Sequence, residues 1–161
     1  MDYLARRDHS ERELRDKLTK AGHADQEIEA ALAEARERKW LPDEATLALR
    51  EADRLARQGK SPQQIRIWLG RKGLPISGLQ SLLTENEEQS AYKTALKAWA
   101  QQRRMAERQL AKLAKLEVRD GPPNLERLLR DRVQRLLISR GFSGTTARAV
   151  FARLLEENPL N

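Results

Sequence analysis

Residues 10–32 read SERELRDKLTKAGHADQEIEAAL, with Leu14, Leu18, Ile28 and Leu32 spaced about a glycine at position 22. The pattern returns as Ile65, Leu69, Gly73, Leu79, Leu83 and again as Val133, Leu137, Gly141, Ala147, Phe151, with offsets of four, four, six and four each time. A spacing of four puts each apolar pair on one face of a helix. Glycine enters the left-handed backbone region at little cost, so the first helix of each pair ends there and a second follows after a short turn. A recurring helix–turn–helix pair predicts a tandem helical array, not an enzyme built around one cleft.

Local signals extend this reading along the chain. Ser10-Glu11-Arg12-Glu13 and Ser61-Pro62-Gln63-Gln64 are capping boxes, the second with proline at the first helical position. The helix opened by Ser10 runs to about residue 21. Asp25 is expected to cap a helix over 26–39, and Pro42 to sit in the first turn of a helix running to Gly59. Further helices are predicted over 3–8, 62–72, 77–85, 86–117 and 125–140, with Asn124 capping the helix over 125–140, Gly141 ending it and Ser143 capping one last helix. Asp120-Gly121-Pro122-Pro123 reads as a linker. No segment alternates as a strand does. The expected fold is all-α, with about nine helices in three tandem three-helix repeats, elongated and curved. The repeats span 1–40, 41–85 and 86–161, the third with a long first helix and the linker near 120–123.

Composition agrees with an array. Of 161 residues 39% are hydrophobic and only 4% aromatic, a thin core for the length. The absence of cysteine excludes disulfides and thiolate metal sites. No apolar run approaches the roughly 18 residues needed to cross a bilayer, and Met1 to Arg7 has no signal-peptide core. The expectation is a soluble, cytoplasmic monomer without a membrane partner.

Charge is unevenly placed. Residues 1–49 hold 9 basic and 12 acidic side chains, residues 50–80 hold 7 and 2, and residues 101–140 hold 11 and 5. The middle and the third repeat are therefore basic, which suggests a polyanionic partner; the competing reading is an ordinary solvated surface. Basic residues gather ahead of the glycines: Lys17 and Lys20, then Arg66, Arg71 and Lys72, then Arg132, Arg135 and Arg140. Complementarity to the helix dipole explains one or two charges per helix, at about 0.3–1 kcal/mol each. The surplus in the second and third repeats points to a basic stripe that positions a polyanion or filament. The helices after Gly73 and Gly141 are poor in base-reading side chains, so non-specific phosphate contact is a better reading than sequence readout.

Nothing in the chain composes a catalytic constellation. His9 and His23, its two histidines, lie beside a cap and a turn and read as surface or capping residues. The carboxylates fall near Lys or Arg at helical spacing, as surface charge does. Trp40, Trp68 and Trp99 read as packing anchors. No catalytic residue, metal or cofactor is expected.

Leu4-Ala5-Arg6-Arg7-Asp8-His9-Ser10-Glu11-Arg12-Glu13-Leu14-Arg15-Asp16-Lys17-Leu18 resembles the opening signature of the RecX family, bacterial modulators of the recombinase RecA. Trp40-Leu41-Pro42-Asp43, Gly59-Lys60-Ser61-Pro62-Gln63-Gln64-Ile65-Arg66, Arg71-Lys72-Gly73-Leu74 and Ser139-Arg140-Gly141-Phe142-Ser143 resemble later family segments in the same order. The likeness runs from about residue 3 to 155 and is least marked between 86 and 125. Ala45 and Thr46 stand where the family has an Arg-Phe pair, Lys60-Ser61 replaces an aromatic-Gly, and Pro42 replaces an Asp; Leu47 is a candidate to take over the packing of the missing Phe. The resemblance implies a non-enzymatic helical-repeat protein that binds in the groove of the RecA–single-stranded DNA filament and inhibits ATP hydrolysis and strand exchange. The residues expected to contact DNA phosphates or acidic RecA surface are Arg57, Lys60, Arg66, Arg71, Lys72, Arg132, Arg135 and Arg140, with Arg6, Arg7 and Lys17 in the first repeat. A free-standing, non-specific DNA-binding protein is the alternative, and an adaptor for another acidic protein a third reading.

Overall fold

A computed structural model describes residues 9–115 and 124–160. Its elements there are eight α-helices: α1 Glu11–Lys20, α2 Asp25–Glu37, α3 Glu44–Arg57, α4 Pro62–Arg71, α5 Gln80–Glu85, α6 Glu87–Leu113, α7 Leu125–Ser139 and α8 Gly144–Glu157. The expected helix over 3–8 and the linker at 120–123 lie outside the described residues.

Most boundaries follow from the caps. The hydroxyls of Ser10 and Ser61 accept the backbone N–H groups of Glu13 and Gln64, and those side chains reach back to the cap N–H. The Asn124 amide oxygen and the Ser143 hydroxyl accept the N–H groups of Arg127 and Thr146 at the starts of α7 and α8, without the reciprocal bond. Three expectations shift. Asp25 is the first residue of α2 and not its cap; the cap is Ala24, whose N–H donates to Glu27 at 3.0 Å. Pro42 precedes α3 instead of entering it, because Asp43 takes the cap by accepting the N–H and the hydroxyl of Thr46 at 2.8 and 2.9 Å. These bonds favour the charged form and hold the Asp43 carboxyl below its ordinary value, the backbone bond first. The helix foreseen over 77–85 begins only at Gln80, since Pro75 and the left-handed Gly78 keep the preceding residues in a turn. α6 runs unbroken through Gln101 to Arg104.

Buried apolar side chains fall into three clusters. Leu14, Ile28, Leu32 and Ala35 join α1 to α2. Leu47, Leu55, Ile65, Leu69, Leu79 and Leu83 join α3, α4 and α5. Trp99, Leu129, Val133, Leu137, Val150, Phe151 and Leu154 join α6, α7 and α8. Of the twelve apolar positions in the repeated pattern, Leu18 alone is only partly buried. Each full burial of a Leu or Ile is worth about 1.5–3 kcal/mol, so these faces hold each helix pair together. Trp99 packs on Phe151 with ring centroids 6.1 Å apart. Trp40 is instead 41% exposed beneath the Arg38 guanidinium.

Candidate functional site

Of the predicted basic residues, Lys60, Lys72 and Arg140 lie where one cluster meets the next. Gly22, Gly73 and Gly141 all have positive φ, between 70° and 87°, and each follows the C-cap residue of its helix, Ala21 of α1, Lys72 of α4 or Arg140 of α7. At two of these ends the turn is also a docking point. The Ser10 hydroxyl donates to the Lys72 carbonyl at 2.5 Å, and the Ser61 hydroxyl donates to the Arg140 carbonyl at 2.6 Å. Each cap serine thus holds the start of its own helix and one unpaired carbonyl at the end of a helix in the next cluster. A Cβ on Gly73 would lie 2.8 Å from Arg12 Cδ, and one on Gly141 would lie 2.8 Å from Gln63 Cβ, so the absent side chain permits the approach. At Gly22 nothing among the described residues lies within 4 Å of that position.

The third cluster lacks the cap serine of the other two. Ser10 and Ser61 stand twelve residues before their glycines, whereas Leu129 stands twelve before Gly141 and lies fully buried inside α7. The helix is extended back to Asn124, and the serine that would reach a further helix end is absent.

A polar seam along α6 completes the second junction. Ser90 donates to Ala56 O at 2.9 Å and Thr94 to Gly59 O at 3.1 Å, satisfying carbonyls at the end of α3. Glu87 accepts the Ser143 N–H at 2.6 Å at the start of α8. The spacing of Glu87, Ser90 and Thr94 sets them on one face. In sequence they are indistinguishable from surface polar residues.

The predicted basic residues divide by surroundings. Lys72 ion-pairs with Glu13 across the first junction, and its ammonium lies 5.4 Å from the centroid of the Trp68 ring. Arg57 pairs with Asp53 at 2.8 Å and Arg66 donates to Gln80 at 2.9 Å. Arg132 is half-buried and donates to Gln109 and Met105 of α6, tying α7 to α6. Arg135 is exposed and donates to the Asp131 carbonyl at 3.0 Å. Lys17 is 2.6 Å from His9 Nε2, and His9 is buried at 1% exposure, contrary to its reading as a surface or capping residue. His9 directly precedes Ser10, whose hydroxyl bonds the Lys72 carbonyl, so its burial falls at the junction of the first two clusters. His23 is exposed beside Glu27. Lys60, Arg71 and Arg140 are exposed. Arg6 and Arg7 lie outside the described residues. Exposed Ala45 and Thr46 leave the core contact at that turn to buried Leu47.

Sequence reasoning missed Arg12, which covers Gly73 and donates to Gly70 O, and Lys97, which shares a cleft with Lys60 and Arg140. Arg12 lay within a capping box, and Lys97 lay on a helix with no glycine to mark it.

Outside the clusters, Arg36 donates to Glu11 at 2.8 Å, and that bond holds the Glu11 carboxyl below its ordinary value against a smaller desolvation effect. Among the described residues no group of three or more His, Cys, Asp or Glu is placed to hold a metal ion. No described helix is long and apolar enough to cross a membrane.

These features define an all-helical protein of recurring helix pairs, joined by cap serines and carrying basic side chains around its turns. The family model for the first three-helix domain of RecX matches residues 1–34. Over these residues the chain is similar to the RecX family. A regulatory protein RecX from Ectopseudomonas mendocina (strain ymp) is 40% identical over 86 residues, which are 53% of this chain and 57% of that relative. One from Pseudomonas fluorescens (strain Pf-5) is 40% identical over 85 residues, 53% of this chain and 54% of the relative. The matched stretch thus spans a little over half the length of these curated relatives.

Proposed function

We propose that this protein is a negative modulator of the RecA recombinase that binds along the RecA–single-stranded DNA filament and lowers ATP hydrolysis and strand exchange. It acts by binding and not by catalysis, as a cytoplasmic monomer in DNA repair, recombination and the SOS response. Its architecture in this reading is three tandem three-helix repeats over 1–40, 41–85 and 86–161, elongated and curved. The observation that carries the reading is the likeness to regulatory proteins named RecX, together with the match of residues 1–34 to the first three-helix domain of RecX. The recurrence of Ser10–Lys72 and Ser61–Arg140 supports a repeated unit, since the same contact joins successive clusters. Several weak contacts spread along such an array add through effective concentration. The predicted basic residues supply them by electrostatic positioning on DNA phosphates or acidic protein surface.

The test is RecA ATPase on single-stranded DNA with the protein titrated in. Inhibition at substoichiometric amounts is expected. An unchanged rate at molar excess removes the reading. In that case strongly salt-dependent DNA binding without RecA would favour the free-standing DNA-binding alternative.

A further inference from the structure

The two junctions place the same element, the C-terminal end of the middle helix, against the capping box of the cluster before it, yet they treat its cation differently. At the first, Lys72 meets the carboxylate of Glu13, the last residue of the first capping box. At the second, Arg140 holds the matching place, and the last residue of the capping box is the neutral Gln64. One cation is therefore neutralised and its counterpart is not.

Two more cations join Arg140. Lys60 precedes the cap serine, and Lys97 lies one helical turn beyond Thr94, on the α6 face that binds Gly59 O. The three line a single cleft of about 380 Å³, with Gln58, Gln64 and Gln101 beside them. All three cations are exposed, and among the described residues none of them has an ion pair or a side-chain hydrogen bond. No carboxylate lines the cleft. Three like charges converging without a counter-charge repel one another, and an anion between them removes that repulsion.

We propose that this cleft between the second and third clusters is a phosphodiester-binding site for single-stranded nucleic acid, with Lys60, Lys97 and Arg140 as the cationic contacts and the glutamine amides as further donors. The proposal takes the single strand from the functional reading above. A tetrahedral phosphate offers oxygens in several directions, which suits donors arriving from the α3–α4 turn, from α6 and from the end of α7. A phosphodiester carries one charge, as a carboxylate does, but a single strand repeats that charge at every nucleotide, so successive phosphates can meet three cations. The first junction shows the smaller demand, where one carboxylate takes one lysine.

The experiment measures binding of a fluorescent oligothymidylate by the full chain across a salt series, without RecA. The variant carries Lys60→Gln, Lys97→Gln and Arg140→Gln, with Lys20→Gln as a control on the first cluster. The Ser61 bond goes to the Arg140 backbone carbonyl, so the substitutions leave the junction intact; a circular dichroism melt checks this. Each lost phosphate contact lowers the log–log salt slope by about 0.7, so the triple variant is expected to lose about 2, with about tenfold weaker binding at low salt. The control keeps the original slope. A triple variant with the wild-type slope overturns the site. So does wild-type protein that binds no oligothymidylate; if the variant then also loses RecA inhibition, the cleft takes a carboxylate of the partner protein. Cleft-dependent oligothymidylate binding by a protein without effect on RecA ATPase leaves the cleft standing and removes the RecA reading alone.

Discussion

The Ser61 hydroxyl accepts the Gln64 N–H at 3.2 Å and donates to the Arg140 carbonyl at 2.6 Å, so one side chain both starts α4 and ties it to the end of α7. Ser61→Ala removes a helix cap worth about 1 kcal/mol and a junction bond worth about 1 more. The expected loss is about 2 kcal/mol. Ser143→Ala, where the hydroxyl bonds only within the start of α8, should cost about 1 kcal/mol. Urea unfolding of the two variants side by side measures the difference, and equal losses would show that the junction bond contributes nothing.

The three glycines should respond unequally to alanine. All have positive φ, so each substitution carries about 1 kcal/mol of backbone strain. At Gly22 that is the whole expected cost, because the Cβ meets open space among the described residues. At Gly141 the Cβ also runs into Gln63, and overpacking adds about 1–3 kcal/mol. Thermal melts should rank Gly141→Ala well below Gly22→Ala.

Charge reversal separates binding from architecture at adjacent residues. Arg71 is exposed, whereas Lys72 is paired with Glu13 and only 28% exposed. Lys72→Glu puts two carboxylates together at the first junction and should cost about 1–3 kcal/mol of stability. Arg71→Glu should leave the melt unchanged and weaken inhibition of RecA ATPase. Undiminished inhibition by Arg71→Glu would remove that residue from the partner surface.

Acid stability should depend on Glu11. Its carboxyl is held below the ordinary 4.5, first by the hydrogen bond from Arg36. A depressed folded value means that the stabilisation is fully present above the unfolded value and is lost as pH falls through the folded one. Glu11→Gln should therefore be less stable than wild type at neutral pH, with the gap closing below about pH 4. The measurement is the unfolding midpoint in urea at several pH values, and a gap that stays constant with pH would refute the assignment.

Much of the fold was legible because a helix records its buried face locally. Leu69, Val133 and Leu137 announce themselves by a spacing of four, and Gly73 by ending the run. The capping boxes at Ser10 and Ser61 were equally readable, since all their atoms lie within four residues. The site was legible only in part. Arg140 stood out because it precedes a glycine, and Lys60 because it precedes a cap, but nothing nearby marks Lys97 or Arg12. Their importance comes from residues about 40 and 60 positions away in the chain.

What the sequence determined by itself is the helical class, the repeated helix pair, the places where helices begin and end, and the family signature. Each of these depends on interactions reaching three or four residues, or on conformational limits of single glycines and prolines. What only the tertiary structure decided is which polar groups bridge clusters and which charges are left over. Ser10 and Ser61 look like caps until a second helix end arrives at their hydroxyls. Lys72 and Arg140 look alike until one is seen to face Glu13 and the other Gln64. Coulomb pairing and hydrogen bonding act over a few ångströms of space regardless of separation along the chain, so the charge that remains for a partner is set only when the clusters meet.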